Sequence, residues 1–212
     1  MSSPIPFHSG ELVTDASSPP PIVERRSRPD AADRILRATV RCIVDAGAVA
    51  LTMHDVAEEA GVSKGLIHYH FHDKDTLLAR AVEWMARHLV MRERAALAES
   101  TPRRAIDDLW GWLASELERG YVRVLIELAE WRNPRVRNAV RASATARREV
   151  ASASVEHLFS LLGLRPRLPA ALLADVVVAF IDGLAISKGL EQERNARAAF
   201  DVFWLSLLSL AE

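Results

Sequence analysis

Three signals for the start of a helix lie within about two dozen residues of each other in the N-terminal part of the chain. They are Thr52, Ser63 and Asp73, whose side chains can accept hydrogen bonds from the free N–H groups of a helix N-terminus. Asp55 follows Thr52 at the spacing of a capping box, and Gly61 permits a left-handed turn between the first two helices. Helices this short are unstable alone, so they must pack against each other. The segment therefore predicts a compact unit of short helices that leads into a longer one.

The rest of the chain carries the apolar spacing of helices and no hairpin signal. A first helix is expected to begin with Asp30 as its N-cap, with Asp33 three residues later, and to end at Gly47. Further apolar stripes after Pro102 and Pro134 predict more helices towards the C-terminus. The fold class that we predict is all-α.

Composition limits the compartment and the chemistry. Half of the 212 residues are hydrophobic and the formal net charge is -1, so a phosphate-binding face would have to be a local patch. The only cysteine is Cys42, which excludes a disulfide framework and indicates a reducing compartment. No apolar run reaches the length of a membrane span, and the N-terminus does not read as a signal peptide. We expect a cytoplasmic protein with no membrane partner.

The first 28 residues differ in composition from the remainder. They are rich in Ser and Pro, with the run SSPPP at residues 17–21, and such a segment buries too little apolar surface to become ordered. We expect residues 1–28 to form a disordered arm. Its last part contains Arg25, Arg26 and Arg28, which would be either a solvated charge run or an arm that touches DNA.

Histidines at alternate positions raise the question of a metal site. His68, His70 and His72 would share one face of a strand, but on a helix the first two point about 200° apart. No nearby Glu or Cys completes a tetrahedral set. We therefore predict no metal, no cofactor and no enzyme activity, and an enzyme that uses these histidines as ligands or bases stays as an alternative.

Residues 53–70, MHDVAEEAGVSKGLIHYH, have the features of a helix-turn-helix. Ala57 is small where two helices would cross, and Gly61 suits the turn between them. Val56 and Ile67 belong to the apolar seam between the helices. Two packed helices with no DNA partner would explain these residues equally well.

The residues on the outward-facing side of this segment indicate a DNA partner. Gly65 lies inside the second helix, where glycine costs about 0.5–1 kcal/mol relative to alanine. Lys64 and Lys74 lie in the first turns of helices, at the positive end of the helix dipole, where a cation is disfavoured. An anion and a closely approaching surface would account for both features, and a DNA phosphate at a helix N-terminus supplies them.

Residues 52–78, TMHDVAEEAGVSKGLIHYHFHDKDTLL, resemble the DNA-binding signature of the TetR family of bacterial repressors, and the likeness extends upstream to DRILRATVRCIVDAG. The resemblance implies a homodimer whose recognition helices enter successive major grooves of an operator in double-stranded DNA. It also implies a C-terminal domain that binds a small-molecule effector, whose binding releases the repressor. The implied domains are the arm at 1–28, a three-helix helix-turn-helix DNA-binding domain at 29–75, and a helical effector-binding and dimerisation domain at 76–212. A helical ligand-binding protein that does not bind DNA is the alternative.

The resemblance places phosphate contacts on Thr52, Tyr69, His70 and Lys74. Base readout is expected near the start of the recognition helix. His68 stands where many members of the family carry an aromatic residue, which leaves its role open. The predicted DNA face comprises Thr52, His54, Ser63, Lys64, Gly65, Leu66, His68, Tyr69, His70 and Lys74.

An effector site is expected among inward-pointing side chains of the C-terminal helices. Glu127 and Glu130 beside Trp131 favour a cationic ligand through charge pairing and cation–π contact, and a lipid-like or aromatic effector is equally compatible. The predicted effector residues are Trp84, Met85, His88, Trp110, Leu113, Glu127, Leu128, Trp131, Phe180 and Ile181.

The final stretch, residues 200–210, is apolar nearly all round, which is typical of a helix buried on two sides. We expect one side to face its own domain and the other to face a second subunit in a four-helix interface, whereas a purely intradomain core is the plainer interpretation. The predicted dimer residues are Val177, Ile181, Leu184, Phe200, Phe203, Trp204 and Leu207.

Overall fold

A computed structural model describes residues 30–188 and 196–212, and the predicted arm at 1–28 lies outside this range. The described residues form nine helices and no strand, so the predicted all-α class is confirmed. The helices are α1 (Ala31–Ala46), α2 (Met53–Ala60), α3 (Lys64–Phe71), α4 (Lys74–Ala98), α5 (Ala105–Arg119), α6 (Tyr121–Ala129), α7 (Pro134–Leu161), α8 (Ala170–Lys188) and α9 (Ala196–Leu208).

The three predicted helix starts are confirmed. Thr52 and Asp55 form a reciprocal capping box at α2, with hydrogen bonds of 3.2 and 3.0 Å. The Ser63 hydroxyl accepts from the Leu66 amide at 3.2 Å, and Asp73 accepts from the Thr76 amide at 2.6 Å. These caps fix where α2, α3 and α4 begin.

The predicted start of α1 is confirmed, but the side-chain cap expected there does not form. Asp30 occupies the N-cap position of α1 but its side chain makes no capping hydrogen bond. Asp33 accepts instead from Nε1 of Trp84 at 2.6 Å and pairs with Arg37 at 3.3 Å. The Asp33 carboxylate thus bonds to a residue 51 positions away in the chain and not to the start of its own helix.

Two hydrophobic cores hold the helices together. The first core joins α1, α2 and α3 to the first half of α4, to α6 and to the start of α7. The second core joins the C-terminal half of α4 to α5, α8, α9 and the end of α7. The helices α4 and α7 contribute to both, so the two cores share rigid elements.

Side chains of α6 and of the loop after it link the rest of the chain to the helix-turn-helix unit. Glu127 Oε1 accepts from the Ala48 amide at 2.7 Å, beside the end of α1. The carboxylate of Asp75, in the first turn of α4, accepts from Trp131 Nε1 at 2.8 Å and from Asn133 Nδ2 at 2.7 Å. Because α4 runs unbroken through residue 75, the predicted domain boundary there stays a prediction.

Our expectation that no apolar run is long enough to span a membrane is wrong, because α8 is long and apolar enough. Its 19 residues include an 18-residue window with a mean hydropathy of 2.0, of which 28% is buried. Length and composition alone do not separate a membrane span from a core helix. In this fold Leu173, Val177 and Ile181 of α8 pack into the second core.

Two methionines of α4 provide a matched test of the first core. Met85 is 0% exposed and Met91 is 61% exposed. We expect Met85→Ala to lower the free energy of unfolding by about 2–5 kcal/mol, because it leaves a cavity in the core. Met91→Ala should change it by no more than about 0.5 kcal/mol. Urea denaturation of the two variants measures the difference, and equal effects would contradict this description of the core.

Candidate nucleic-acid interface

Every residue of the predicted DNA face is accessible to solvent. Seven of the ten are exposed, and Leu66, His70 and Lys74 are half-buried. Tyr69 is 77% exposed, a high value for a large aromatic side chain. The intervening residues Ile67 and Phe71 are buried in the first core, as expected for the inner side of α3. The helix thus presents its polar and small side chains outward.

The N-terminus of α3 carries unused hydrogen-bond donors. Ser63 caps the amide of Leu66, but the amides of Lys64 and Gly65 have no acceptor among the residues that the structure describes. The Lys64 side chain is exposed and has no ion-pair partner within the same ranges. Free amides, the helix dipole and a lysine together make a site that favours an anion.

Gly65 is not required by the packing of the subunit. A Cβ atom built on this residue would meet its nearest heavy atom, Ser63 Oγ, at 3.9 Å, which is an ordinary contact. By contrast, Gly61 adopts the left-handed conformation, with φ of 62°, in the turn between α2 and α3. Since the subunit itself leaves room for a side chain at Gly65, the helix-destabilising residue has no internal explanation.

The sequence indicated that Lys74 needs an external anion, but contacts within the protein also account for its position. Its Nζ donates to the carbonyl oxygen of Val49 at 3.0 Å and lies 5.7 Å from the centre of the Trp131 ring. Burial lowers the pKa of Lys74, nearby Arg132 lowers it further, and Asp75 opposes the shift. The protein therefore supplies partners for this ammonium, so its position at a helix N-terminus alone does not indicate an external anion.

His68 has a defined local role. Its Nδ1 lies 3.0 Å from the carbonyl oxygen of His72, the residue that ends α3 with φ of 61°. A carbonyl can only accept, so Nδ1 must carry the proton in this contact. When the ring is neutral, Nε2 is then left as an acceptor.

Two arginines, Arg132 and Arg135, lie near the start of α4, and the sequence did not predict this. Arg135, in the first turn of α7, donates to the hydroxyl of Thr76. Arg132 is exposed and close enough to Lys74 to influence its pKa. Their proximity to α4 arises from the tertiary fold, and no local pattern around residues 132–135 could have predicted it.

No cluster of three or more His, Cys, Asp or Glu side chains with the geometry of a metal site occurs within residues 30–188 and 196–212. The rings of Tyr69 and His70 lie 5.2 Å apart in an edge-on arrangement. His54 pairs with Glu58 of the same helix at 3.6 Å.

The structure divides the predicted effector residues between different places. Trp84, Met85 and Leu128 are buried in the first core. Glu127 and Trp131 are engaged by the linking hydrogen bonds described above. The His88 ring lies 3.9 Å from that of Trp84, and Trp110 packs on Phe200. These residues do not surround a common space, because helical periodicity marks burial without saying which core a residue enters.

A cavity does lie in the second core, and three of the predicted effector residues line it. The space between its atoms is about 420 Å³ including its mouth, and little of it is wide enough for a water molecule. We refer to this space as the core cavity. Its lining comprises Glu93, Leu97, Leu109, Trp112, Leu113, Ala151, Ser154, Val155, Val177, Phe180, Ile181, Phe200, Phe203 and Trp204.

The predicted dimer residues mostly point into the subunit. Val177, Ile181, Phe200, Trp204 and Leu207 are buried in the second core. Phe203 stacks on Phe180 at 4.0 Å, and Leu184 is half-buried. The apolar residues of α8 and α9 that remain exposed occupy the other side of these helices, and they include Leu172, Val176, Ala179, Ile186, Ala198, Val202 and Leu205.

Comparison with known proteins identifies the N-terminal segment. The family model described as bacterial regulatory proteins, tetR family, matches residues 35–81. The HTH-type transcriptional regulator BetI of Yersinia pestis (strain Pestoides F) is 33% identical over 73 residues, which cover 33% of this chain and 37% of that protein. The chain thus matches little more than a third of the length of this relative.

Solved structures share the fold over most of the chain. Reduced NemR of E. coli has a TM-score of 0.68 at 13% identity, covering 86% of this chain and 98% of its own. A putative TetR-family transcriptional regulator from Rhodococcus sp. has a TM-score of 0.66 at 21% identity, covering 84% and 98%. Residues 35–81 therefore form a segment of the tetR family of bacterial regulatory proteins, and the chain shares its fold with these solved structures.

Proposed function

We propose that this protein is a DNA-binding transcriptional regulator of the cytoplasm that acts as a homodimer. In this proposal it represses transcription and a small-molecule effector releases it from its operator. The observation that carries the DNA-binding part is the N-terminus of α3. There, two amides lack acceptors in the described chain, and Gly65 leaves space that the subunit does not need.

The chemistry of this helix end matches a DNA backbone. Phosphate oxygens accept from the free amides of Lys64 and Gly65, and the absence of a side chain at Gly65 lets the backbone approach closely. With α3 in the major groove, the outward side chains of Leu66 and His68 would face base edges. Tyr69 and Lys74 would contact flanking phosphates.

Gly65→Ala separates folding from DNA binding. Alanine should stabilise α3 by about 0.5–1 kcal/mol, because it is a better helix former. It should weaken binding to DNA by about tenfold or more, because the methyl group blocks close approach. Binding is measured by gel shift with the DNA upstream of the protein's own gene, and stability by thermal melting.

Gly111→Ala is the matched control, since Gly111 is also exposed within a helix and has open space at its Cβ position. It should show the stability gain without the loss of DNA binding. Equal DNA affinities for the Gly65 variant and the unsubstituted protein would remove the main support for this interface.

Lys74→Ala tests the expected phosphate contact. A lysine that neutralises one phosphate contributes about 0.9 to the slope of log K against log salt concentration. We expect the substitution to weaken binding to all sequences alike and to lower the slope by about that amount. Arg104→Ala is the control, because Arg104 pairs with Asp108 at the start of α5. An unchanged slope would contradict a phosphate contact and would leave the hydrogen bond to the Val49 carbonyl as the role of Lys74.

The exposed apolar side of α8 and α9 supports a homodimer. On α8, Leu172, Val176, Ala179 and Ile186 recur at intervals of one or two turns, so they share one face. On α9, Val202 and Leu205 lie on the outward side, and Leu205 is 70% exposed. A second subunit packed through the same two helices would form a four-helix interface and would cover the apolar surface of α8. This assignment replaces the buried residues predicted from the sequence.

Leu205→Glu should separate the subunits. A carboxylate in the centre of an apolar interface is expected to cost at least about 2 kcal/mol, which is about a thirtyfold increase in the dimer dissociation constant. Analytical ultracentrifugation measures this constant. Met91→Glu, on an exposed part of α4, should leave it unchanged. A Leu205 variant that dimerises normally would show that the subunits meet elsewhere.

Effector release would be a shift in the population of two arrangements of the dimer. The helix α6 is placed to transmit such a shift. Its Val122 packs in the second core and its Leu128 in the first core. Next to Leu128, Glu127 accepts a hydrogen bond from the Ala48 amide just after α1. A ligand that displaces α6 would therefore alter the position of the helix-turn-helix unit.

A further inference from the structure

Aromatic rings make up much of the wall of the core cavity. Trp112 comes from α5, Phe180 from α8, and Phe200, Phe203 and Trp204 from α9. Such surfaces bind apolar groups, and the faces of their rings attract cations. The rings of Phe180 and Phe203 stack in parallel with their centres 4.0 Å apart. Since the free space is narrow, a ligand would have to move these rings.

Among the described residues, one carboxyl group and no basic side chain line this cavity. The carboxyl belongs to Glu93 of α4, which is 6% exposed. It accepts a hydrogen bond of 2.8 Å from Ser154, and no Lys, Arg or His of the described chain forms an ion pair with it. A buried carboxylate without a counter-ion is unfavourable.

Another buried glutamate, Glu116, does form ion pairs with arginines of the same chain. Glu116 is 1% exposed and receives two hydrogen bonds from Arg92, at 2.5 and 2.7 Å. Arg119 lies 3.5 Å from the same carboxylate. Arg147 of α7 lies close enough to Glu93 to lower its pKa, but it donates to Asp182 at 2.5 Å. Within the described chain, Glu93 therefore has no ion pair, whereas Glu116 has two.

A second residue that lines the cavity also has a polar group without a partner in the described chain. The indole nitrogen of Trp112 is fully buried and has no acceptor among the described residues. The residue itself is 8% exposed, and it lines the cavity together with Glu93. A buried N–H group without an acceptor costs roughly as much free energy as a lost hydrogen bond.

These observations define a complementary ligand. We infer that the core cavity binds an organic cation with an apolar or aromatic body and an oxygen that accepts a hydrogen bond. Glu93 balances the positive charge, the aromatic rings surround it, and Trp112 donates to the oxygen. This inference rests on the proposed function in one respect: the ligand of this cavity would be the effector that releases the regulator.

Three small probes of similar shape test the inference by isothermal titration calorimetry on the full-length protein. Phenacyltrimethylammonium carries both the cation and a carbonyl oxygen. Its neutral isostere, 3,3-dimethyl-1-phenylbutan-1-one, keeps the carbonyl and replaces the charged nitrogen by carbon. Phenethyltrimethylammonium keeps the cation and lacks the carbonyl. We expect the first probe to bind at least about tenfold more tightly than the neutral isostere.

Glu93→Gln removes the charge while it keeps an acceptor for Ser154. It should weaken both cationic probes by at least about tenfold and leave the neutral isostere unaffected. Trp112→Phe removes the N–H donor and should weaken the carbonyl-containing cation by several-fold more than phenethyltrimethylammonium. The comparison of probes on the unsubstituted protein needs no variant, so it decides the charge preference even if a substitution disturbs folding.

The pH dependence has a defined sign. Burial raises the pKa of Glu93, while Ser154, Arg147 and Arg94 lower it and Glu116 raises it. A cation binds the ionised carboxylate, so its affinity should rise as pH rises through the pKa of Glu93 and fall below it. The neutral isostere and the Glu93→Gln variant should show no such change.

The inference is overturned if the neutral isostere binds as tightly as its cationic partner, or if Glu93→Gln leaves the cations unaffected. It is also overturned if no probe binds up to the solubility limit of the neutral isostere. Equal losses for both cations in Trp112→Phe would remove the role of the indole. Because probe binding is measured without DNA, and DNA binding of the unsubstituted protein without probe, either can fail while the other succeeds.

Discussion

The carboxylate of Asp75 holds the start of α4 against the loop that follows α6. It accepts from Trp131 at 2.8 Å and from Asn133 at 2.7 Å, while Glu127 accepts from the Ala48 amide at 2.7 Å near the end of α1. Hydrogen bonds to charged acceptors are stronger than neutral ones. The helix α3, which we propose enters the major groove, packs against α1, α2 and α4, so its position depends on where these helices are held. The orientation of the proposed DNA-binding surface thus depends on side chains that lie outside the helix-turn-helix segment.

This arrangement joins the proposed ligand site to the proposed DNA site through one short helix. A small cavity next to the core cavity is lined by Glu93 and Trp112 and also by Val122 of α6. The nine residues of α6 span roughly 13 Å, and the far end of the helix carries Glu127 and Leu128. Packed helices slide or rotate as units because their side chains interdigitate. A ligand that separates the aromatic rings would press on Trp112, which also lines the small cavity beside Val122, and α6 would carry the displacement to α1.

The sequence predicts what is determined locally. Thr52, Ser63 and Asp73 cap their helices as expected, because each cap needs only an amide two or three residues away. The class of fold and the turn at Gly61 follow from similarly short patterns. The effector and dimer residues depend on which helices become neighbours, and periodicity does not contain that information. Val176 and Val177 are adjacent and chemically identical, yet one is exposed and the other lies in the second core.

Residues left without partners are more informative than residues placed at unfavourable positions. Lys74 stands at the positive end of a helix, but the Val49 carbonyl and the Trp131 ring explain its location within the protein itself. The amides at the start of α3 and the indole of Trp112 have no such explanation in the described chain. Protein interiors satisfy nearly all their buried polar groups, and a helix-weakening glycine is retained only where something requires it. The free amides and Gly65 mark the surface where we place DNA, and Glu93 and Trp112 mark the cavity where we place the cation. A hydrogen-bond donor without a partner in the described chain supports each site, but the amides of α3 belong to exposed residues and the Trp112 indole is buried.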